Sequence, residues 1–339
     1  MATNTFAAGV PADTIRVING QFDKDFSLAF MATPVSTADL VQNKTAKGNV
    51  ITMATLLQVP KMRQWLGAKN VKSLQTVNLS TRAVPFEATV GVDRSDILSD
   101  NIGMYSDLPA MLGAQGKKHQ DQLYAQTIQC GHSGNIAASS LWPGGLQTTN
   151  LADGANLFAT NHTWQGSSVA AQSNNIFYTS LSQASISDAV EKMLAFVGDD
   201  GQPLNIFPKY IACAPQDYIT ILNSVKAIYN PVVGSNAAVP LDNILSRAGV
   251  WSSYFNLDVV PVLELSNEAG VAYLHGLAAY GALKPCQLYD FIAPHLVPSV
   301  NPDSQNVFMD KRFLWSLEAE RLMVFPLWFQ TIRMTTLPL

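Results

Sequence analysis

Residues 86–105 read FEATVGVDRSDILSDNIGMY, and the stretch changes character halfway. Val84, Phe86, Ala88, Val90 and Val92 occupy alternate positions. That is the two-residue period of a strand with one buried face. Acid follows: Asp93, Asp96, Asp100 and Asp107 fall within fifteen residues. An EF-hand loop needs oxygen ligands at alternate positions, a glycine at the sixth and a late glutamate. Here the carboxylates are three, four and seven residues apart, with apolar residues between them. Asp96 and Asp100 would share a face only in a helix, and they lie between a strand and a helix start. Negative charge ahead of a helix is stabilising by about 0.3–1 kcal/mol per group. The acid is therefore read as structural or interfacial. No catalytic residue and no metal ligand is assigned to it.

Downstream, Ser106 or Asp107 offers an N-cap and Pro109 suits the first turn. LPAMLGAQGKKHQDQLYAQTIQ then continues without further proline to Gly131. This predicts a helix over 105–130, roughly 35 Å long. Upstream, VKSLQTVNLSTRAVPFEATVGVDR predicts a β-hairpin over 71–93 that turns at Ser80–Ala83. Such a hairpin is marginal alone and needs a surface to lie on. Pro60 opens a short helical stretch, KMRQWL, which Gly67 ends. Residues 1–50 are rich in Ala, Thr, Asn and Ser. They read as an extended arm with at most short helices, one at Thr37–Gln42.

Beyond Gly131 the chain is loop-like to about residue 180, with room for short strands. SQASISDAVEKMLAFVGDDG from Ser182 is an amphipathic helix. KYIACAP is a buried strand, PQDYITILNSVKAI a helix opened by Pro215, and LDVVPVLEL and GVAYLHG are strands. In QNVFMDKRFLWSLEAERLMVFPLWFQTIRM, Val307, Met309, Phe313, Trp315 and Leu317 mark the apolar side of one strand. Pro326 marks a bend or an edge.

Composition excludes several classes. Charged residues make up only 14% of the 339, against about 25% in an average soluble protein. Much of the surface is therefore expected to be covered by partners. No apolar run approaches the ~20 residues that span a bilayer. The start, MATNTFAAGVPAD, lacks the basic and apolar regions of a secretory signal. Cys130, Cys213 and Cys286 are far apart and odd in number, which points to buried thiols rather than disulfides or a metal site. The net charge of −4 leaves no footprint for nucleic acid. Cys130 with His132, and His162 with Asp153 upstream, lack any elbow or third orienting group. Both histidines read as hydrogen-bonded loop residues. No P-loop, GxGxxG or HExxH occurs, so the chain is not read as an enzyme and no cofactor is expected.

Charge is unevenly placed. No acid occurs between Asp39 and Glu87, a span that holds Lys44, Lys47, Lys61, Arg63, Lys69, Lys72 and Arg82. The acidic run follows directly.

WLGAKNVKSL, FEATVGVDRSDILSDNIGMY, the long helix, NLFATNHTW and NVFMDKRFLWSLEAERLMVFPLWF occur in this order. Together they resemble the Mu-like major head subunit of tailed bacteriophages, a branch of the Hong Kong 97-type capsid fold. The resemblance covers roughly residues 60–339. At Trp65–Gly67, Phe86–Val90, Arg94–Asp96 and Asp100–Tyr105 the family's pattern is matched; Thr163 departs from the His-Pro common after its Leu-Phe.

The resemblance implies an α+β fold in five parts. These are an N-terminal arm at 1–60, an extended β-hairpin loop at 61–95, and a peripheral domain at 96–180 with the helix 105–130 as its spine. An axial domain at 181–300 and C-terminal strands at 301–339, returning to the peripheral domain, complete it. It implies a chain that assembles with itself into the hexamers and pentamers of an icosahedral shell around double-stranded DNA. Scaffold, portal and decoration proteins are the further partners, with no membrane. The location is the virion, built in the host bacterial cytoplasm. An encapsulin-like compartment is the alternative on the same fold, and a divalent-metal-dependent hydrolase using Asp93, Asp96 and Asp100 the alternative from another class. Charge placement adds an expectation about contacts between copies. Lys61, Arg63, Lys69, Lys72 and Arg82 of one copy should face Glu87, Asp93, Asp96, Asp100 and Asp107 of the next.

Overall fold

The computed structural model describes residues 12–48, 50–56, 64, 76–99, 105–136, 146–147, 151, 153–164, 167–226, 229–230, 241–242, 257–278, 283–301 and 305–336. Lys61, Arg63, Lys69, Lys72, Asp100 and, apart from Gln64, the expected KMRQWL helix lie outside them.

The chain opens with α1 (Ala12–Ala32), then β1 (Val41–Thr45), β2 (Val50–Leu56), β3 (Thr76–Arg82) and β4 (Val84–Asp93). A short α2 (Arg94–Leu98) precedes the long α3 (Leu108–Gln129). Short strands β5 (Asn135–Ile136) and β6 (Leu146–Gln147) lead to β7 (Asn175–Tyr178). Then come α4 (Gln183–Leu194), β8 (Ile206–Cys213), α5 (Pro215–Lys226), β9 (Tyr229–Asn230) and β10 (Leu241–Asp242). The chain continues through β11 (Asp258–Pro261), β12 (Val271–Ala278), β13 (Cys286–Ser299), α6 (Gln305–Met309), β14 (Arg312–Val324) and β15 (Thr331–Thr336).

Two sheets organise these elements. One has the order β1-β13-β14-β4, the other β11-β8-β12-β15-β7. Phe86, Ala88, Val90 and Val92 turn to one face of the first sheet. There α1 and α3 cover it, with Phe26, Leu112 and Leu317 in one cluster and Ile15, Ile18, Phe22, Phe313 and Trp315 in another. The second sheet is buried against α4 and α5 through Ile186, Ala189, Met193, Ile211 and Ile221. A capping box at Ser182 and Ser185 starts α4, satisfying backbone N–H groups that a helix start leaves open.

Four expectations need correction. The arm at 1–60 contains the 21-residue α1 rather than only short helices, because Ile15, Ile18, Phe22 and Phe26 form an apolar stripe that α3 and β14 bury. Thr37–Gln42 is a turn entering β1, held by α3 rather than wound into a helix. The arms of the expected 71–93 hairpin do not pair with each other. Instead β3 pairs antiparallel with β2, and β4 pairs with β14. Alternation reports a buried face and is silent about which strand lies alongside. The C-terminal strands also divide. β14 begins at Arg312, after the short α6 over Val307 and Met309, and joins β13 and β4; beyond Pro326, β15 enters the other sheet between β12 and β7.

Gly113 sets the distance between α1 and α3. A Cβ built there would run into the Phe26 carbonyl oxygen and lie 3.1 Å from the Phe30 nitrogen. Alanine normally favours a helix by about 1 kcal/mol over glycine. Here Gly113→Ala should instead lower stability by about 1–3 kcal/mol, the cost of overpacking. Urea unfolding of the unassembled chain measures it, and unchanged or raised stability would refute the close approach.

Candidate functional site

The most distinctive surface lies where the β2–β3 hairpin leaves the first sheet. Thr45, Asp290, Arg321 and Val84 stand side by side across its four strands. Beyond that row the chain passes through Ala46 and Ala83 into the hairpin, whose first pair is Val50 with Arg82. Ala83, Leu322 and Val324 are buried at this root, with Ala46, Tyr289 and Phe291 around them. Arg321 Nε donates to Asp290 Oδ1 at 2.8 Å, with the side chains 5% and 19% exposed. On the same level Lys44 Nζ donates to Gln287 Oε1 at 2.9 Å and lies over the Tyr289 ring. Partial burial lowers the Lys44 ammonium below its ordinary value.

The sheet face turned away from the helices is acidic. Glu87 on β4 is exposed and directly opposite Glu318 on β14, with Glu320 opposite Pro85. Like charges facing each other across strands are unfavourable. Thr89 Oγ1 donates to Glu87 at 2.6 Å.

Two carboxylates of the acidic run at the end of β4 make local contacts. Asp93 caps α2, accepting from the Ser95 backbone N–H at 2.9 Å and its hydroxyl at 2.8 Å. Those two hydrogen bonds hold its carboxyl below the usual range. Asp96 accepts the Tyr105 hydroxyl, which raises the tyrosine above its ordinary value. Asp107 stands at the N-cap of α3, exposed and without a side-chain capping bond. Arg82 ends β3 and is exposed.

A groove of about 280 Å³ runs between α3 and β4, lined by Phe86, Glu87, Gln115, His119, Pro294 and Leu317 among others. His119 is buried, and its ring meets Phe86 edge-on with centroids 4.5 Å apart. Its Nε2 is buried without a hydrogen-bond partner among the described residues. Burial, assisted by the Arg321 guanidinium, lowers this imidazole to about 3. Composition and spacing give no hint of this histidine, which the sequence shows only as one more position of the long helix.

Elsewhere two cysteines and two histidines make only local contacts or lie in the core. Burial raises the Cys213 thiol to about 12 and Cys286 well above its ordinary value, the reverse of what a nucleophile needs. His132, just past the end of α3, has its Nδ1 2.9 Å from the Gln129 carbonyl oxygen. Tyr124 and His275 meet at 2.6 Å inside the core. Among the described residues, no group of three or more His, Cys, Asp or Glu side chains could hold a metal ion. Among them also, no helix is long and apolar enough to cross a membrane.

Comparison with known proteins gives this surface a context. Residues 15–180 match the family model described as Mu-like prophage major head subunit gpT. The major capsid protein of Escherichia phage Mu is 24% identical over 120 residues, which are 35% of this chain and 39% of the relative. The Mu-like prophage FluMu major head subunit of Haemophilus influenzae is 28% identical over 127 residues, 37% of this chain and 40% of that protein. The matched segments thus span about two fifths of these curated relatives. A chain from the procapsid of bacteriophage JBD30 has the same fold, with a TM-score of 0.52 and 19% identity. That likeness covers 97% of this chain and 77% of the other. Over residues 15–180 the chain resembles the Mu-like major head subunits, and its α+β fold is that of phage capsid chains of the Hong Kong 97 type.

Proposed function

We propose that this chain is the major capsid protein of a tailed phage, forming pentamers and hexamers of an icosahedral shell around double-stranded DNA. One observation carries the reading: the head-subunit match over residues 15–180 falls on a chain whose fold, over 97% of its length, is that of a procapsid chain. In this reading the first sheet with α1 and α3 is the peripheral domain, and α3 is its spine. The second sheet with α4 and α5 is the axial domain, meeting its copies around five- and six-fold axes. Such rings need head-to-tail contacts between different surfaces of identical chains. Scaffold, portal and decoration proteins are the further partners, and the shell is built in the host cytoplasm.

The β2–β3 hairpin is the extended loop that reaches a neighbouring copy. Among the described residues β2 and β3 form a sheet of their own, and a two-stranded sheet is marginal without support. Its seat is the groove between α3 and β4 and the acidic face beside it. Lys61, Arg63, Lys69, Lys72 and Arg82 then meet Glu87, Asp93, Asp96, Asp100 and Asp107 of the next copy. A basic partner would relieve the Glu87–Glu318 opposition, and a donor from it would satisfy His119.

Electron microscopy and sedimentation of the purified protein with its scaffold test the function. Closed shells are expected, and only small species would overturn it. The contact has its own test. Each exposed pair is worth about 0–1 kcal/mol, so its effect should show in assembly rate more than in shell strength. Arg82→Glu should slow assembly at low salt, and Glu87→Lys in the same chain should restore part of the rate. The difference should vanish near 1 M salt, where screening acts within about 3 Å. Equal rates at low salt would remove the contact.

A further inference from the structure

β4 is an edge strand, paired on one side with β14 and on the other with no strand among the described residues. Its hydrogen-bonding phase follows from one bond. The Arg94 N–H donates to the Lys311 carbonyl oxygen at 2.9 Å. From there the register runs unbroken from Asp93 opposite Arg312 to Val84 opposite Arg321. Bonded and unbonded pairs alternate in an antiparallel ladder. Val92, Val90, Ala88, Phe86 and Val84 therefore turn their N–H and C=O groups to β14, and Gly91, Thr89 and Glu87 turn theirs outward. Pro85 falls in the outward set, where a missing N–H costs the ladder nothing. Pro85, Glu87, Thr89 and Gly91 are all exposed. Among the described residues, the outward N–H groups of Glu87, Thr89 and Gly91 have no backbone acceptor.

Proteins usually blunt a long free edge with lysine, proline or a bulge. β4 has ten residues, no break in its register and its proline only near the start. Such an edge is a template for an added strand. Glu87 narrows the choice of strand. It already stands opposite Glu318, and a second β4 would bring another acid to the same edge, which like charges disfavour. β3 fits instead. Among the described residues it pairs with β2 alone, so one of its edges is open. Its sequence, TVNLSTR, carries no acid, ends in Arg82, and alternates Val77 and Leu79 with Asn78, Ser80 and Arg82. β4 offers a matching pair of rows. Phe86, Ala88 and Val90 lie toward the core, and Glu87 and Thr89 lie on the acidic face. β3 cannot turn back onto its own β4, because Ala83 alone joins them and a tight hairpin needs about two loop residues. The partner strand comes from another copy.

We infer that the outer edge of β4 takes up β3 of a neighbouring copy as an added strand, joining a two-stranded and a four-stranded sheet across the boundary between copies. This rests on the reading of the chain as a shell protein, and it gives the hairpin contact a main-chain component besides its charges. Backbone hydrogen bonds at Glu87, Thr89 and Gly91 then hold at salt concentrations that screen the Arg82 and Glu87 charges.

Hydrogen exchange on the parent protein, free and assembled with its scaffold, reads the edge directly. The Glu87, Thr89 and Gly91 amides should slow by about 100-fold or more on assembly, as open N–H groups do when they become paired. Shells in which these amides exchange as in the free chain would overturn the inference and leave the shell reading standing. A parent that forms no shells would overturn both. A second measurement identifies the occupant. Chains carrying Thr89→Cys are mixed before assembly with chains carrying Asn78→Cys, Ser80→Cys or Arg82→Cys, the shells are oxidised, and the linked peptides are identified by mass spectrometry. A disulfide between position 89 and one of these β3 positions is expected. A disulfide joining two Thr89→Cys chains, or slowed exchange with no link to β3, would mean that a second β4 or another protein occupies the edge, and would overturn the inference.

Discussion

Arg321→Ala will destabilise the chain by about 3 kcal/mol, because it strands a carboxylate at the root of the hairpin. Removing one member of a buried ion pair typically costs about 3–5 kcal/mol, since the other charge keeps its desolvation without its partner. Asp290 is 19% exposed, which places the expectation at the lower end. The damage should also be local. Arg321 and Asp290 stand opposite each other on the two middle strands, directly before the chain enters β2 and leaves β3. Hydrogen exchange should therefore quicken in 50–56 and 76–82 before it does in α3. The double variant Arg321→Met with Asp290→Leu removes both charges and should return to within about 1 kcal/mol of the parent. Urea unfolding of all three proteins checks the scheme. A single variant that loses less than about 1 kcal/mol would mean that water already solvates Asp290.

Asp121→Ala should cost a similar amount, about 2–4 kcal/mol, by releasing the N-terminal segment from α3. One carboxylate there takes four hydrogen bonds. Ser36 gives its N–H at 3.0 Å and its hydroxyl at 2.9 Å to one oxygen. Thr37 gives its N–H at 3.0 Å and its hydroxyl at 2.6 Å to the other. Hydrogen bonds to a charged group contribute about 1.5–3 kcal/mol each when isolated, and less when they share an acceptor. Thr37 is fully buried, so its N–H would lose its partner without gaining water. Asp121→Asn keeps one acceptor but turns donors toward donors on the other side, and should recover no more than half. The readout is unfolding stability together with exchange at Thr37–Val41. Fast exchange there with unchanged global stability would show that this turn is a detachable clasp rather than part of the cooperative unit.

The sequence is most legible where one pattern can mean one thing. α3, α4, α5, β8 and β12 follow from capping residues, proline placement and apolar runs, all of them local. Pro326 is also a sound mark, since the chain leaves one sheet there and enters the other. The hairpin misleads because both arms alternate correctly whichever strand they join. Ser80–Ala83 also lacks the Asn-Gly or Asp-Gly that a tight hairpin turn prefers, which is the available warning. α1 is visible as Ile15, Ile18, Phe22 and Phe26 at helical spacing, but small polar residues around it dilute the signal. Of the expected charge contact, only one basic residue and four acidic ones lie among the described residues. Of the hydrogen-bonded cluster around His162, Asp153, 2.6 Å from its ring, is near enough in sequence to notice. Asn174 and Trp328 belong to it only through the tertiary fold.

The order of strands in the second sheet also has a consequence for timing during synthesis. β15 lies between β12 and β7, although it follows every other strand in the chain. A ribosome must therefore release residues up to 336 from its exit tunnel before β7 can join the sheet at all. Until then the nascent chain holds an open gap where its neighbour should be. The chain thus cannot complete that sheet until translation has passed β15. Products truncated before residue 331 lack the strand that joins β12 to β7.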